Sequence, residues 1–266
     1  MSLIPKDHIY SYSQLSGFDE CPFSYYLQRI EGAEDLPNAF AEHGSLIHDI
    51  LDKWAKKQLT KEQMVEEYER RYPNEVVTAF PRMLASKGYN QKAYQLGVDY
   101  FTDFDEFAGY EVISAEEEFK EPLPLADGTE RPFIAYVDLV LRDKFTGSLI
   151  ICDHKSKSVQ AFKKAEDDMY KQQYIYSYFV HKKYNEWPKY LMFNLFKENG
   201  KRFSREFDMK IYESVIQWAT DQIHKIESYD VLDWLECKEQ DFFCTEICGM
   251  RKQCPNGVMK KKGKKK

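Results

Sequence analysis

The chain has 266 residues, a formal net charge of −6 and 43% hydrophobic residues. This length and composition allow a sizeable packed core and exclude a largely disordered protein. No apolar run approaches the roughly 18 residues of a membrane span, and no charged-then-apolar signal segment opens the chain. We therefore expect a cytoplasmic protein that does not enter membranes, and the negative charge argues against a bulk-basic nucleic-acid binder.

The pattern of apolar residues changes along the chain from helical to alternating and then loses its period. It defines a helical segment, a mixed core, a cysteine-bearing segment and a basic tail, at about 21–108, 109–228, 229–258 and 259–266. Residues 8–20 are predicted to be extended. Because strands and helices alternate in the core, the sequence predicts an α/β fold in which helices flank a central mixed sheet. We expect a single domain over 1–258.

The basic tail ends in Lys-Lys-Lys-Gly-Lys-Lys-Lys, and residues 249–266 hold eight Lys or Arg and no acid. Such a tail can bind phosphates through counterion release. It can equally serve only to keep the protein soluble. The sequence leaves both interpretations open.

Two short strands joined by a turn carry the residues with the clearest chemistry. The first strand contains Asp138, and the second ends with Asp153, His154 and Lys155. Because side chains alternate along a strand, Asp153 and Lys155 point to the same face. If Asp138 faces the same way, two carboxylates and an ammonium meet in a volume that suits Mg²⁺ or Mn²⁺. The alternative is a surface ion pair, although the apolar run before Asp153 favours a buried site.

Two helices supply further candidates. His48 lies on the flank of the apolar face of a helix predicted over 45–57, where an imidazole can complete the coordination shell of a metal. Gln172 and Tyr176 are four residues apart on another helix and therefore share one face. An amide and a phenol there can contact the lysine, a phosphate or a base. Each candidate also has a simpler interpretation: a structural or solvated histidine, and two polar flanks of an aromatic helix.

Together these residues form an ordered set: Gly44-x-x-x-His48, then Asp138, then Asp153-x-Lys155, then Gln172-x-x-x-Tyr176. The set resembles the RecB-like branch of the PD-(D/E)xK nuclease superfamily. The start of the chain is similar to the AddB and CRISPR-adaptation exonucleases of that branch, in Ser11-x-Ser13-x-Leu15 followed by Cys21-Pro22. The resemblance covers residues 11–254. Ala135 stands where the family usually has a glycine, three residues before the first aspartate.

The resemblance implies a restriction-endonuclease-like fold and assigns roles to the candidates. The ligands that it implies for Mg²⁺ or Mn²⁺ are His48, Asp138, Asp153 and the backbone carbonyl of His154. Lys155 would orient the attacking water, and Gln172 and Tyr176 would shape the site and the DNA path. Glu116 matches a less specific acidic position of the family.

The activity that the resemblance implies is hydrolysis of phosphodiester bonds in DNA, by an exonuclease acting on single-stranded or end-exposed substrates. Two alternatives stay open. One is a non-catalytic DNA-binding subunit of a larger helicase–nuclease or integration complex, although intact Asp138, Asp153 and Lys155 argue against it. The other is a nuclease acting on RNA. Because the sequence contains no helicase motif, any unwinding would come from a helicase or integrase partner.

Six cysteines in a cytosolic chain are not expected to form disulfides. Cys244, Cys248 and Cys254 lie close together, and with Cys21 they supply the four thiolates that an iron–sulfur cluster or a structural zinc ion needs. The resemblance implies a 4Fe-4S cluster that ties the C-terminal segment to the first helix. Cys152 is expected in the core of a strand, and Cys237 has no assigned role. Nearby aromatic and basic residues would either grip single-stranded DNA or pack around the cluster: Phe242, Phe243, Arg251 and Lys252.

Overall fold

A six-stranded mixed sheet lies at the centre of this computed structural model, which describes residues 3–230, 232–239 and 241–257. The strands are β1 Tyr10–Ser11, β2 Tyr110–Pro124, β3 Glu130–Asp143, β4 Leu149–Lys155, β5 Tyr190–Leu195 and β6 Lys201–Glu206. β3 connects the sheet, because it pairs antiparallel with β2 and β4 and parallel with the short β1. β5 runs parallel to β4, and β6 runs antiparallel to β5.

Helices cover both faces of the sheet. One face packs against α1 Tyr12–Glu20, α7 Val159–Lys164, α8 Glu166–Tyr184 and α9 Met209–Ser228. The other face packs against α3 Ala39–Ala55, α4 Lys61–Glu75 and α6 Tyr89–Thr102. Two short helices lie in the connections: α2 Pro22–Tyr25, which continues as a π-helical turn over Tyr26–Ile30 ahead of α3, and α5 Arg82–Ala85, between α4 and α6.

Strand β4 divides its side chains between two hydrophobic clusters. Leu149 and Ile151 pack with the α8 and α9 layer, whereas Ile150 and Cys152 pack with the α3 layer. A continuous apolar run of this kind is typical of a strand covered on both faces. Alternation therefore sends the two residues that follow Cys152 at odd positions, Asp153 and Lys155, toward α8.

Helix α3 brings His48 to the sheet. Asn38 caps its N-terminus by accepting a hydrogen bond from the amide of Ala41 at 2.9 Å, which satisfies one of the free donors of the first turn. Its apolar stripe is buried against the sheet and consists of Leu46, Ile47, Ile50 and Leu51. His48 lies beside this stripe and is therefore held at the edge of the sheet.

The predicted α/β fold, with a central mixed sheet flanked by helices, is confirmed. The extended conformation predicted for 8–20 is wrong beyond β1, because α1 begins at Tyr12. Ser11 caps that helix through its hydroxyl, and Leu15 and Phe18 anchor it in the core. The basic tail at 259–266 lies outside the described residues, and the single-domain assignment stays a prediction. Among the helices of the described segments, none is long and apolar enough to cross a membrane.

Candidate metal centre

Three acidic residues lie in one row across strands β2, β3 and β4. The β2–β3 register pairs the neighbours of Glu116 with the neighbours of Asp138, so these two residues face each other. The β3–β4 ladder ends at the pair Leu139 and Cys152. Continuing that register by one residue places Asp138 opposite Asp153. The sheet therefore concentrates three carboxylates at the point where β3 and β4 separate.

The side chain of Asp138 takes the place of the missing ladder bond. Its Oδ2 atom accepts a hydrogen bond from the backbone amide of His154 at 2.8 Å. The same oxygen lies 3.4 Å from Nδ1 of His48. Asp138 is therefore fixed between the neighbouring strand and helix α3.

His48, Glu116 and Asp138 each offer one ligand atom, and these atoms lie within 4.8 Å of one another. Two carboxylates and an imidazole are donors that Mg²⁺ or Mn²⁺ accept. Glu116 has a φ of 46°, a left-handed conformation that costs a non-glycine residue on the order of 1–2 kcal/mol. Strain of this kind at a ligand position is typical of functional sites.

The pKa values of these residues show an excess of negative charge. Burial, followed by the charge of Asp153, raises the pKa of Asp138 well above its usual range. Burial, followed by the charge of Asp138, raises the pKa of Glu116 to about 7. Burial lowers the pKa of His48, which leaves its imidazole neutral and able to ligate. A divalent cation would neutralise the repelling carboxylates, so the donor set fits such an ion.

Lys155 lies on the α8 side of the same row. Its Nζ atom is 2.7 Å from Oδ2 of Asp153 and donates a hydrogen bond to Oε1 of Gln172 at 3.0 Å. Burial alone would lower the pKa of Lys155, but the Asp153 and Asp138 carboxylates outweigh it and raise the pKa. Tyr176 is buried on the same face of α8, next to Gln172, and burial raises the pKa of its hydroxyl well above the usual range. The ammonium is therefore charged and held in one position.

The structure brings the predicted site residues close together, and two of them, His154 and Glu116, are placed differently from the expectation. The imidazole of His154 points into the α3 layer, where its Nδ1 accepts a hydrogen bond from Nδ2 of Asn194 at 2.9 Å. The carbonyl role predicted for His154 stays a prediction, as does direct ligation by Asp153. Glu116 holds a more central place than the sequence indicated. Only the family resemblance distinguished this glutamate within Ala115-Glu116-Glu117-Glu118, because its left-handed backbone leaves no mark on the sequence pattern.

A second cluster lies between the two ends of the chain. A cavity of about 200 Å³ is lined by five cysteines, Cys21, Cys237, Cys244, Cys248 and Cys254, and we call it the cysteine chamber. Cys237, to which the sequence assigned no role, has its Sγ 3.5 Å from Sγ of Cys254. Cys152 is fully buried in the sheet core. Phe243 also lines the chamber, and both Phe242 and Phe243 are exposed, at 44% and 40%.

The walls of the chamber connect the C-terminal segment to the elements before α3. The amide of Phe23 donates to the carbonyl of Glu236 at 3.0 Å. The amide of Leu36 donates to the carbonyl of Gly249, also at 3.0 Å. The Arg251 guanidinium reaches the Pro37 carbonyl at 3.1 Å. The loop that leads into the helix of His48 is therefore fastened to the cysteine-bearing segment.

A mixed sheet between helical layers, with a row of acids, a helical histidine and a lysine at one strand end, defines a metal-dependent nuclease of restriction-endonuclease-like fold. A family model described as the PD-(D/E)XK nuclease superfamily matches residues 9–255, and the chain belongs to that superfamily. Among curated proteins, no match to the chain was found.

Proposed function

We propose that the protein is a metal-dependent deoxyribonuclease of the RecB-like branch, an exonuclease that acts on single-stranded or end-exposed DNA. The proposal rests on two groups of residues that meet at the end of β4, a candidate ligand group and a charged lysine. His48, Glu116 and Asp138 form a ligand group, and Lys155 lies beside it in contact with Asp153. A binding module without activity has no need of a half-buried, charged lysine at such a place.

His48, Glu116 and Asp138 would hold Mg²⁺ or Mn²⁺, with Asp153 and the carbonyl of His154 as the further ligands that the family resemblance implies. When bound, the ion would polarise a phosphate oxygen and lower the pKa of a water molecule. Lys155 would orient that water and offset the negative charge that develops on the phosphate. Gln172 holds the lysine by a hydrogen bond, and Tyr176, one helical turn further along α8, would shape the site beside it.

We propose a 4Fe-4S cluster in the cysteine chamber, held by Cys21, Cys244, Cys248 and Cys254. Two observations support it. The chamber brings the remote Cys21 together with the C-terminal cysteines, and its volume of about 200 Å³ equals that of several water molecules at roughly 30 Å³ each. Zinc, the alternative, needs far less room because its thiolates lie only about 2.3 Å from the ion. Cys237 is a fifth candidate ligand at the same chamber.

The nuclease is tested with end-labelled single-stranded DNA, double-stranded DNA and RNA, each with Mg²⁺ or Mn²⁺ and with EDTA. We expect cleavage of single-stranded DNA that Asp153→Ala and Lys155→Ala reduce by about two orders of magnitude or more. Lys163→Ala, an exposed lysine on α7, is the matched control and should keep wild-type activity. Labels at the 5′ or 3′ end give the polarity. If wild type and the two site variants are equally inert, the catalytic proposal is wrong and the DNA-binding subunit is favoured. Cleavage restricted to RNA overturns the assignment to DNA.

The cluster is tested by anaerobic purification followed by absorption spectroscopy and metal analysis. We expect brown protein with broad visible absorbance and about four iron atoms per chain. Cys248→Ala should lose the colour, whereas Cys152→Ala, in the sheet core, should retain it. Colourless protein with one zinc ion per chain would overturn the iron–sulfur assignment.

A further inference from the structure

A groove on the α8 side of the sheet opens next to Lys155. It has a volume of about 650 Å³, and its walls come from α1, α8, α9 and the end of β4. We call it the Tyr12–Trp218 groove after its two aromatic residues. Lys155 and Gln172 are among the residues that line it. The groove therefore reaches the lysine that would orient the attacking water under the proposed function.

Two aromatic rings in this groove are half-buried and held in position by their polar atoms. Their centroids are 6.1 Å apart, with 47° between the ring planes. The Tyr12 hydroxyl donates to the backbone carbonyl of Asp168 at 2.7 Å. The Trp218 Nε1 atom donates to Oδ2 of Asp19 at 3.2 Å. The rings are therefore a pre-formed apolar surface, whose inner sides pack against the core of the α8 and α9 layer.

The charges that line the groove come from three lysines, Lys155, Lys157 and Lys171, and three acids, Asp19, Glu20 and Asp168. The acids are engaged by neighbours. Asp168 pairs with Lys171 at 2.8 Å, Glu20 pairs with Lys238 at 2.6 Å, and Asp19 accepts from the indole. Because the three lysines and the three acids balance, the groove has no net positive charge that would attract a phosphate backbone.

Lys171 makes the aromatic surface more polar on one side. Its Nζ atom lies 4.7 Å from the centroid of the Trp218 ring. The groove offers an aromatic ring beside a cation, has no net formal charge and lies next to the candidate phosphodiester site. These properties suit a nucleobase, which is a flat π-system with polar edges. Base stacking on aromatic side chains works for every base.

We propose that the Tyr12–Trp218 groove is a subsite for one unpaired nucleobase, that of the nucleotide next to the scissile phosphate. The subsite rests on the proposed nuclease function and deepens it, because it supplies a reason for preferring single strands. A base inside a duplex is already stacked and paired, and it cannot enter the groove without the cost of unstacking and unpairing. An unpaired terminal base can enter the groove with little of that cost.

The test compares Trp218→Leu, Trp218→Phe and wild type on two substrates. The first is a ten-nucleotide oligo-dT, and the second is a ten-residue abasic oligodeoxynucleotide, which has the same phosphodiesters and no nucleobase. We expect Trp218→Leu to raise KM for oligo-dT about tenfold, as loss of one stacked base predicts, with little change on the abasic strand. Trp218→Phe keeps a ring and should restore most of the affinity. Trp187→Phe, in a separate aromatic stack with His181 and Phe207, is the control for general loss of packing.

A measurement on wild-type protein keeps the proposal testable if Trp218→Leu does not fold. Oligo-dT with an abasic residue at its terminal position should bind about tenfold more weakly than intact oligo-dT, and should quench tryptophan fluorescence less. Equal KM values for Trp218→Leu and wild type on oligo-dT, or equal binding of intact and abasic strands, would overturn the subsite. Failure of wild type to cleave either substrate would instead reject the proposed function, while the fluorescence titration would still decide the subsite.

Discussion

The carboxylate of Asp138 accepts a hydrogen bond from the backbone amide of His154 at 2.8 Å, across the gap where β3 and β4 separate. This contact holds one carboxylate directly beside another, that of Asp153. In water two carboxylates would move apart, but here both are buried and fixed by the sheet. The arrangement is costly without a cation and favourable with one. The candidate site therefore lowers the stability of the metal-free protein and raises its affinity for a metal.

Asp138→Asn is expected to stabilise the metal-free protein while removing activity. The amide can still accept the His154 hydrogen bond, but it removes one of two like charges whose repulsion raises the pKa of Asp138. We expect the free energy of unfolding in EDTA at pH 7 to rise on the order of 2 kcal/mol, measured by urea titration. In excess Mg²⁺ the order should reverse, because wild type gains binding energy that the variant lacks.

Asp143→Asn is the matched control for that experiment, because Asp143 lies at the end of the same strand. Its carboxylate accepts hydrogen bonds from the amides of Thr146 and Phe145, which lower the pKa of Asp143. Neutralising it should leave the unfolding free energy unchanged or lower. A similar gain in stability for both variants would show that general charge reduction, and not repulsion in the row of acids, is responsible.

Glu116 gives a prediction about backbone strain. Alanine is normally preferred to glycine inside a strand by roughly 0.5–1 kcal/mol, but Glu116 has a φ of 46°. We therefore expect Glu116→Gly to be more stable than Glu116→Ala by about 1 kcal/mol, while both lose metal affinity equally. Isothermal titration with Mn²⁺ measures the second effect. An alanine variant as stable as the glycine variant would mean that the conformation is not imposed by the sheet.

The sequence predicts most of the candidate site, and the roles of its residues stay predictions. Asp138, Asp153 and Lys155 follow from strand alternation and from the ordered motif. His48 follows from the apolar period of α3, which places the histidine on its flank. Glu116 was indicated only by the family resemblance, since three consecutive glutamates fit any register and the local pattern does not select one of them.

Contacts between remote segments were beyond the reach of sequence patterns. Tyr12 and Trp218 meet through the packing of α1 beside α9, and Tyr12 was assigned to an extended segment because its neighbours are polar and aromatic. Cys237 has no motif partner at regular spacing, yet it lies in the cysteine chamber. In both cases tertiary packing, and not local propensity, decides the neighbourhood of the residue.

The buried His43 gives a prediction about how the free energy of unfolding depends on pH. It is 1% exposed, and its Nε2 lies 2.9 Å from the Tyr68 hydroxyl. Burial, followed by the charge of Lys197, lowers the pKa of His43 from 6.5 to about 4. Between these values the unfolded chain binds the proton and the folded chain does not, so stability falls as the pH drops from 6.5 to 4. The full effect is about 3 kcal/mol.

The check is a series of urea titrations between pH 7 and pH 4.5 on wild type, His43→Gln and His224→Gln. The stability of His43→Gln should rise relative to that of wild type as the pH falls below 6.5, whereas the opposite trend from the raised pKa values of Asp138 and Glu116 is common to both proteins. His224 is 46% exposed and pairs with Asp127, so its replacement should leave that slope in place. If wild type and His43→Gln lose stability in parallel, another group carries the acid transition.

Gly97→Ala tests the packing of α6 against α4, the helix that packs against α3. A Cβ atom at Gly97 would lie 2.1 Å from Cζ of Tyr68, a residue that is 0% exposed and whose hydroxyl donates to the carbonyl of Tyr94 at 3.2 Å. Because the ring cannot withdraw, we expect a loss of roughly 2–3 kcal/mol by urea titration. Gly109→Ala, where a Cβ meets nothing within 4 Å, should change stability little.

A double-mutant cycle with Tyr68→Ala identifies the cause of that loss. With the ring removed, the same Gly97→Ala change should become neutral or stabilise by up to about 1 kcal/mol, because alanine is the better helix former. A reversal of sign between the two backgrounds assigns the cost to the contact between ring and backbone. An equal loss in both backgrounds would mean that helix α6 needs a glycine for another reason, and that Tyr68 does not set the distance between α4 and α6.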